Sequence, residues 1–273
     1  MAHTGLKVIV VALAALIVIN VVAIALLYGR HPVASPAPSV PSVPVAASLA
    51  VDAALLPAPC SECFDATQFK DALTNAGVKF GTVMTYQPGS PEATSLIAKY
   101  GITQLPALVL SKELSSYDQV ASGWSQVGTI APDGSYLFQG VVPPYYDLAT
   151  KRVRGLVTLV ILNDSSCPGC FNSQLFGQAF SRLALNETRT VDVQSAEGKA
   201  LVVAYNITTV PTALLRGDLA AYAGFDQAWS KIGTVASDGT YVFTAVATLQ
   251  QPYKDLVSGA LVVPLSNTTN ATG

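Results

Sequence analysis

Hydrophobic and polar positions divide the chain into an apolar N-terminal run and a long region of mixed pattern. Residues 8–27 carry no charged side chain, and these 20 residues are enough to cross about 30 Å of hydrocarbon as a helix. We interpret this run as a single transmembrane anchor in contact with membrane lipid, after a cytoplasmic N-terminus at residues 1–7; a cleaved signal peptide is the alternative interpretation. Residues 28–48 are rich in proline and predict a semi-rigid stalk.

The region after the stalk is an internal duplication. Residues 124–138 match residues 229–243 at nine of fifteen positions, with an offset of 105 residues. Each unit has the length of a small domain. The sequence therefore predicts two tandem domains, at residues 49–150 and 153–258, followed by a polar tail at 259–273.

Within each repeat, alternating strand-like and helix-like patterns predict an α/β fold in the order βαβαββα. Residues 155–162 form a continuous β-branched and aliphatic run of the kind that a central strand buries on both faces. Residues 171–183 then place apolar side chains at helical spacing. Trp124 and Trp229 recur near Asp-Gly pairs that predict hairpin turns, and we assign both tryptophans to the core. The first repeat predicts a weaker strand at 49–55, a helix ending at Gly77, a strand at 80–86, a helix at 91–100 closed by Gly101, and a strand at 107–110.

Charge and histidine content exclude several classes of function. Charged residues make up 12% of the chain, and 15 Lys and Arg against 17 Asp and Glu give a net charge of -2. No basic block could neutralise a row of phosphates, so we expect no nucleic-acid partner. The two histidines, His3 and His31, precede the repeats, which excludes histidine-based metal sites and Ser-His-Asp triads there. The chemistry must therefore use the four cysteines, carboxylates or hydroxyls.

The four cysteines form two Cys-x-x-Cys motifs at equivalent positions of the repeats. Cys60 and Cys63 correspond to Cys167 and Cys170 at an offset of 107. Each motif follows a predicted strand and opens a predicted helix, where unpaired N–H groups and the helix dipole would stabilise the thiolate of the first cysteine. The second cysteine would then resolve a mixed disulfide. We therefore predict that all four cysteines are catalytic, with Cys60 and Cys167 attacking.

The two motifs differ in their central residues. Glu62 places a carboxylate between Cys60 and Cys63 and disfavours a nearby thiolate, whereas the second motif has the uncharged Pro168-Gly169 pair. A more stable reduced form makes a stronger oxidant. We predict that the second site is oxidising relative to the first.

A strand, a Cys-x-x-Cys motif at a helix start and, about forty residues later, a proline before another strand resemble the thioredoxin superfamily. The segment KYGITQLPALVLS in particular is similar to the cis-proline region of that family. The tandem arrangement also resembles archaeal protein disulfide oxidoreductases and protein disulfide isomerase. The resemblance implies two tandem thioredoxin-like domains and a thiol-disulfide oxidoreductase that needs no cofactor. Together with the apolar run at 8–27, it gives an expected fold of two such domains behind an N-terminal transmembrane helix. It further implies that Pro106 and Pro211 follow cis peptide bonds and that the backbone of Leu105 and Val210 positions a substrate strand.

Two alternatives to redox activity stay open. The disulfides could be structural, in a redox-inactive surface module that binds a partner, because exported thiols tend to oxidise. A four-cysteine zinc site would require the two motifs to converge although 103 residues separate them. We therefore expect no metal, and protein thiols or disulfides as substrates. The redox partner is not identified by the sequence.

The second half of the chain carries five N-x-[ST] sequons, which serve as acceptors only on the exported side of a membrane. Together with the stalk and the low charge, they predict a single-pass membrane protein whose globular part is extracytoplasmic. We interpret the sequon residue Asn206 as a helix-ending residue in the left-handed conformation. The remaining candidate glycosylation sites are Asn163, Asn186, Asn267 and Asn270.

Overall fold

A computed structural model of the chain describes residues 49–138 and 142–264. These residues form two compact units, domain 1 and domain 2, which divide between Arg154 and Gly155. The predicted N-terminus, anchor and stalk at residues 1–48 lie outside the described residues, as does most of the predicted tail, from 265 onwards. Within the described ranges, no helix has both the length and the apolar character needed to cross a membrane.

Domain 1 is a mixed α/β unit built on a five-stranded sheet. The elements of domain 1 are β1 (Val51–Leu56), α1 (Ala66–Asn75), β2 (Phe80–Thr85), α2 (Pro91–Tyr100), β3 (Gln104–Leu105), β4 (Ala107–Leu110), α3 (Asp118–Gly123), β5 (Gly128–Ile130), β6 (Tyr136–Phe138), β7 (Tyr145–Asp147) and β8 (Arg152–Arg154). The strand order of the main sheet is β2-β1-β4-β6-β5, in which β1 and β2 are parallel and the other pairs are antiparallel. A second sheet has the order β3-β7-β8.

Domain 2 repeats this architecture. The elements of domain 2 are β9 (Leu156–Asn163), α4 (Leu175–Ala179), β10 (Ala184–Asp192), α5 (Ala196–Ala204), β11 (Thr209–Val210), β12 (Thr212–Gly217), α6 (Phe225–Trp229), β13 (Gly233–Val235), β14 (Tyr241–Phe243), β15 (Tyr253–Asp255) and β16 (Leu261–Val262). Its five-stranded sheet has the order β10-β9-β12-β14-β13, and its second sheet has the order β11-β15-β16.

Several helix ends and turns lie where their capping and turn residues predict them. Helix α2 begins after Ser90, whose side chain accepts a hydrogen bond from the amide of Ala93, and ends at Gly101 with φ +61°. Asn206 follows α5 with φ +49°, which confirms its prediction as a left-handed helix-ending residue. The hairpins predicted at the Asp-Gly pairs are the antiparallel pairs β5–β6 and β13–β14.

Each main sheet is covered on both faces by apolar side chains. In domain 1, alternate residues of β1 and β4 face opposite sides of the sheet. One face packs against α1, the segment around Leu114 and Trp124, and the other packs against α2. Domain 2 buries the two faces of β9 and β12 in the same way. The continuous apolar pattern of residues 155–162 follows from this two-sided burial.

Trp124 and Trp229 are core residues, as predicted. Each is 1% exposed. The indole N–H of Trp124 donates to the carbonyl oxygen of Thr129, and that of Trp229 donates to Thr234, both at 3.1 Å. Each tryptophan therefore ties a helical segment to the first strand of the neighbouring hairpin.

The final helix predicted in each repeat is replaced by a β-hairpin. In domain 1 the side chain of Asp147 accepts hydrogen bonds from the amide and hydroxyl of Thr150, which turns the chain back at once. In domain 2 Asp255 accepts from the amides of Val257 and Ser258 in the same position. We call the hairpin β7–β8 strap 1 and the hairpin β15–β16 strap 2. Strap 1 ends at Arg154 and strap 2 ends at Val262.

The helix predicted over residues 171–183 is also shorter than its pattern suggests. Phe171, Phe176 and Phe180 are buried, as the pattern predicts, but α4 spans only Leu175–Ala179. Gly177 lies in the middle of α4 itself and lowers the helix propensity of the segment, which leaves the helix short. Most of the predicted helix is a series of turns that leads directly into β10.

We predict that Trp229→Ala lowers the free energy of unfolding of domain 2 by about 3–5 kcal/mol, because a large buried aromatic side chain leaves a cavity behind. Hydrogen exchange of the full chain across a urea series would measure this domain by domain. Val203→Ala is the control, because Val203 is 82% exposed, and we expect it to change stability by no more than about 0.5 kcal/mol. An effect of Trp229→Ala no larger than that of the control would contradict the prediction.

Candidate functional site

Each Cys-x-x-Cys motif is a disulfide that lies in a turn after the first strand of its domain. Cys60 is bonded to Cys63 and Cys167 to Cys170, with Cα–Cα distances of 5.4 and 5.5 Å. All four cysteines are half-buried. In domain 2 the amide of Cys170 donates to the carbonyl oxygen of Cys167 at 3.1 Å, which closes the turn. Both disulfides are therefore within reach of solvent.

The prediction that each motif opens a helix is wrong for this structure. Helix α1 starts after Asp65, whose carboxylate accepts a hydrogen bond from the amide of Thr67 at 2.8 Å and caps the helix. This hydrogen bonding lowers the pKa of Asp65. In domain 2 the side chain of Asn172 accepts from the amide of Gln174 in a turn that precedes α4, and the N-cap residue of α4, Gln174, makes no side-chain capping bond. Both helical segments thus begin downstream of the second cysteine, so the helix dipole does not act on the first cysteine as predicted.

The prolines singled out by the sequence lie at the buried start of β4 and β12. The peptide bonds that precede Pro106 and Pro211 are cis. Leu105 and Val210, the residues before them, are both 0% exposed. In domain 2 the carbonyl oxygen of Val210 lies 3.9 Å from Sγ of Cys170. The fold thus brings Val210 and the Cys167–Cys170 disulfide together.

The peptide groups of Leu105 and Val210 are already paired within their own domains. Val210 is opposite Lys254 of strap 2 in an antiparallel ladder, and Leu105 is opposite Tyr146 of strap 1. The amide of Leu256 donates to the carbonyl oxygen of Thr208 at 2.7 Å in the same register as Val210 and Lys254. Because hydrogen-bonded pairs alternate with non-bonded pairs along such a ladder, Val210 and Lys254 form the next hydrogen-bonded pair.

The same geometry holds in domain 1, where the amide of Leu148 donates to Thr103 at 2.9 Å. Leu105 and Tyr146, two positions along, form the next hydrogen-bonded pair. The role in substrate positioning that the sequence predicts for Leu105 and Val210 stays a prediction. It requires that the strap leave these peptide groups.

An ion pair lies beside the second disulfide, and the sequence did not predict it. Asp164 follows β9, three residues before Cys167, and its side chain is 0% exposed. Nζ of Lys254 lies 2.6 Å from Oδ2 of Asp164 and 3.1 Å from Oγ of Ser166. Ser166 also donates its amide and hydroxyl protons to Oδ1 of Asp164. Lys254 is thereby bound to the loop that carries Cys167.

The protonation of Asp164 reflects two opposing effects. Burial raises the pKa of this carboxyl, but hydrogen bonds from Lys254 and Ser166 outweigh burial, and the pKa is lowered to about 2. Asp164 is therefore a carboxylate at neutral pH. The sequence offered one signal for it, an acidic residue at the end of an apolar strand, but nothing that identified Lys254 as its partner.

The two sites differ in these surrounding side chains. At the offsets of the duplication, Pro57, Pro59 and Tyr146 stand in domain 1 where domain 2 has Asp164, Ser166 and Lys254. A pocket of about 200 Å³ lies beside the Cys60–Cys63 disulfide and is lined in part by Pro57. Domain 1 therefore cannot form the ion pair of domain 2.

The described residues also locate two of the predicted glycosylation sites. Asn163 ends β9 and is half-buried, whereas Asn186 is exposed on β10. Asn267 and Asn270 lie outside the described residues. Among residues 49–138 and 142–264, no group of three or more His, Cys, Asp or Glu side chains could hold a metal ion.

Comparison with known proteins finds likeness only among solved structures. No protein-family model matches the chain. No curated protein matches it either. A protein disulfide oxidoreductase from Aeropyrum pernix K1 is 15% identical, with a TM-score of 0.20, and the match covers 63% of this chain and 79% of that one. A mutant of the alkylhydroperoxide reductase protein AhpF from Enterococcus faecalis is 17% identical, with a TM-score of 0.20, covering 64% and 86%. Likenesses this weak carry no argument about function, which must come from the site itself.

We predict that Asp164 makes the stability of domain 2 dependent on pH in the acid range. Its pKa is lower in the folded chain than the ordinary 3.8, so its stabilisation is fully present above about pH 4 and is lost as the pH falls through about 2. The difference between the two pKa values corresponds to about 2 kcal/mol. Hydrogen exchange in urea between pH 1.5 and 6 would compare the wild type with Asp164→Asn. The variant lacks this component, so parallel profiles of the two proteins would contradict the prediction.

Proposed function

We propose that the chain is a thiol-disulfide oxidoreductase with two Cys-x-x-Cys sites, each carried by a thioredoxin-like domain. The observation that carries this proposal is the repeated geometry: in both domains a half-buried disulfide follows the first strand. In each domain, too, a buried proline precedes the strand that pairs with that first strand. Such a disulfide is open to attack by an external thiolate.

The reaction requires only the cysteines and a substrate with two thiols. A substrate thiolate attacks Sγ of Cys60 or Cys167, the intramolecular S–S bond breaks, and Cys63 or Cys170 leaves as a thiolate that takes up a proton. A second substrate thiolate then attacks the mixed disulfide and releases the first cysteine. Two electrons and two protons pass from the substrate to the cysteine pair, and in the reverse direction the same pair reduces a substrate disulfide.

We further propose that this activity acts on exported proteins from the outer side of a membrane. The apolar run at 8–27 supports an anchor, and the proline-rich segment at 28–48 supports a stalk. The sequons at Asn163, Asn186, Asn267 and Asn270 support an extracytoplasmic globular part that carries glycans. Of these four, Asn186 is the most favourable acceptor in the described residues because it is exposed.

The competing function is a redox-inactive binding module with structural disulfides. The straps favour it, since they occupy the backbone edge beside Leu105 and Val210. A structural disulfide would resist mild reductants, whereas a catalytic one would be reduced and would form mixed disulfides with a substrate. The two functions therefore differ in a measurable potential.

A glutathione redox titration of the full chain, followed by alkylation and mass spectrometry, tests the proposal. We expect potentials between about -120 and -270 mV at both pairs. Cys63→Ser and Cys170→Ser should trap mixed disulfides at Cys60 and Cys167, whereas Cys60→Ser and Cys167→Ser serve as controls that lack the attacked sulfur. Potentials below about -300 mV with nothing trapped would instead identify both disulfides as structural.

We predict that the Cys167–Cys170 pair is the more oxidising of the two, because Glu62 lies between Cys60 and Cys63 and disfavours a thiolate there. The same titration, read separately for each pair, measures the order of the two potentials. Glu62→Gln should raise the potential of the first pair and leave the second unchanged. Equal potentials in the wild-type chain would refute this prediction.

A further inference from the structure

We infer that each strap is a built-in occupant of the position where a substrate strand would pair, and that Lys254 locks strap 2 in that position. The Cys167–Cys170 site would then exchange with small thiols, whereas the Cys60–Cys63 site would also exchange with extended polypeptides once strap 1 is displaced. This inference rests on the proposed function, because it divides the substrates of that reaction between the two sites.

The first step is competition for the same peptide groups. An extended polypeptide that docks beside a sheet edge does so through main-chain hydrogen bonds. At the second site those bonds would have to come from Val210, but its N–H and C=O are paired with Lys254 of strap 2. One donor and one acceptor serve one strand at a time. A polypeptide substrate can therefore occupy this position only after the strap has left it.

The second step is the attachment of strap 2 to the loop it covers. The side chain of Lys254 contacts both Asp164 and Ser166, at 2.6 and 3.1 Å, so the strap is held by an ion pair as well as by its backbone. The Asp164 side chain is 0% exposed and that of Lys254 is 19% exposed, so breaking this pair costs more than breaking a solvated surface pair.

The second strand of strap 2 adds another contact with the cysteine turn. A methyl carbon of Leu261 lies 2.9 Å from the place where a Cβ on Gly169 would stand. A Cβ at position 169 would have to displace this methyl group, so the side chain of Leu261 lies directly against the cysteine turn. Both strands of strap 2 thus contact the loop that carries the second disulfide.

Strap 1 lacks the ion pair that holds strap 2. Tyr146 stands at the position of Lys254 and packs with Leu56 and Leu105 in an apolar cluster. Pro57 and Pro59 replace Asp164 and Ser166, so these positions offer no carboxylate and no hydroxyl. Strap 1 pairs with β3 through the same backbone register, but the ion pair that would hold it closed cannot form.

This difference between the straps distinguishes small dithiols from extended polypeptides as substrates. A small dithiol needs to reach only one sulfur of each disulfide, which both half-buried pairs allow. Two thiols of such a reagent become a disulfide as the cysteine pair is reduced. A polypeptide with two cysteines undergoes the same exchange but must also place its backbone beside Leu105 or Val210. Only this placement of the backbone depends on the straps.

Reduction rates with two reagents test the lock in the full chain. A ten-residue peptide with two cysteines and dithiothreitol would be compared at the second site, in a Cys60→Ser/Cys63→Ser background, and at the first, in a Cys167→Ser/Cys170→Ser background. We expect the ratio of the peptide rate to the dithiothreitol rate to be at least tenfold higher at the first site. Lys254→Met should raise the ratio at the second site at least tenfold. Lys199→Met, which removes an exposed lysine of domain 2, is the matched control and should leave the ratio unchanged.

Amide hydrogen exchange provides a readout that does not depend on redox activity. Lys254→Met should speed exchange at Val210 and Leu256 at least tenfold and leave Leu105 and Leu148 of domain 1 unaffected. Because Lys254→Met leaves Asp164 buried without its partner and could destabilise the domain, Asp164→Asn/Lys254→Met provides a second variant with no buried charge. It should open the strap to a similar extent.

Three results would overturn the inference. Equal rate ratios at the two wild-type sites would show that the straps do not select substrates. An equal increase with both reagents in Lys254→Met would assign Lys254 to the reactivity of the disulfide rather than to access. Unchanged exchange at Val210 in both variants would show that the lysine does not hold the strap. If neither disulfide reacts with either thiol, the proposed function fails, and exchange at Val210 still decides whether the lock exists.

Discussion

The backbone pairing of Val210 with Lys254, and of Leu105 with Tyr146, determines the form of both cysteine sites. Leu105 and Val210 are completely buried, and buried peptide groups must find hydrogen-bond partners. The chain after each main sheet supplies those partners by returning as a strand rather than continuing as a helix. As a result, the edge beside each buried proline is closed by the domain's own backbone, and access to the disulfide depends on what holds that strand.

The two domains keep their scaffold and differ around their cysteines. Both retain the buried tryptophan that donates to the neighbouring hairpin, and in both a tyrosine hydroxyl donates to the aspartate of the hairpin turn, from Tyr100 to Asp133 and from Tyr205 to Asp238. The replaced side chains, by contrast, lie around the disulfide and on the strap opposite it. Because backbone hydrogen bonds do not depend on side-chain identity, the duplicated fold tolerates such changes while the chemistry of each site diverges.

The cysteines lie before the helices, which changes the expected origin of their reactivity. A thiolate at the first turn of a long helix gains from the helix dipole, but here the helical segments begin after the motif, at Ala66 behind the cap Asp65 and at Leu175. In domain 2 the loop that carries Cys167 is instead joined to the ion pair formed by Asp164 and Lys254. Each of its charges largely compensates the other, so the pair acts more through the position of the strap than through the local potential.

The amino-acid sequence by itself determined the duplication, the α/β alternation, the place of each cysteine pair after a strand, and helix ends such as Gly101 and Asn206. These features depend on residues close together in the chain: apolar periodicity, capping side chains and glycine or asparagine in the left-handed region.

Only the tertiary structure decided that the last segment of each repeat is a strand, that the helix after Cys170 is short, and that Asp164 meets Lys254. Asp164 and Lys254 are 90 residues apart, and a strand of three residues leaves no periodic pattern. The position of the last strands, and with it the contact between Asp164 and Lys254, depends on which peptide groups the folded core leaves without a partner. That is settled only when distant parts of the chain pack together.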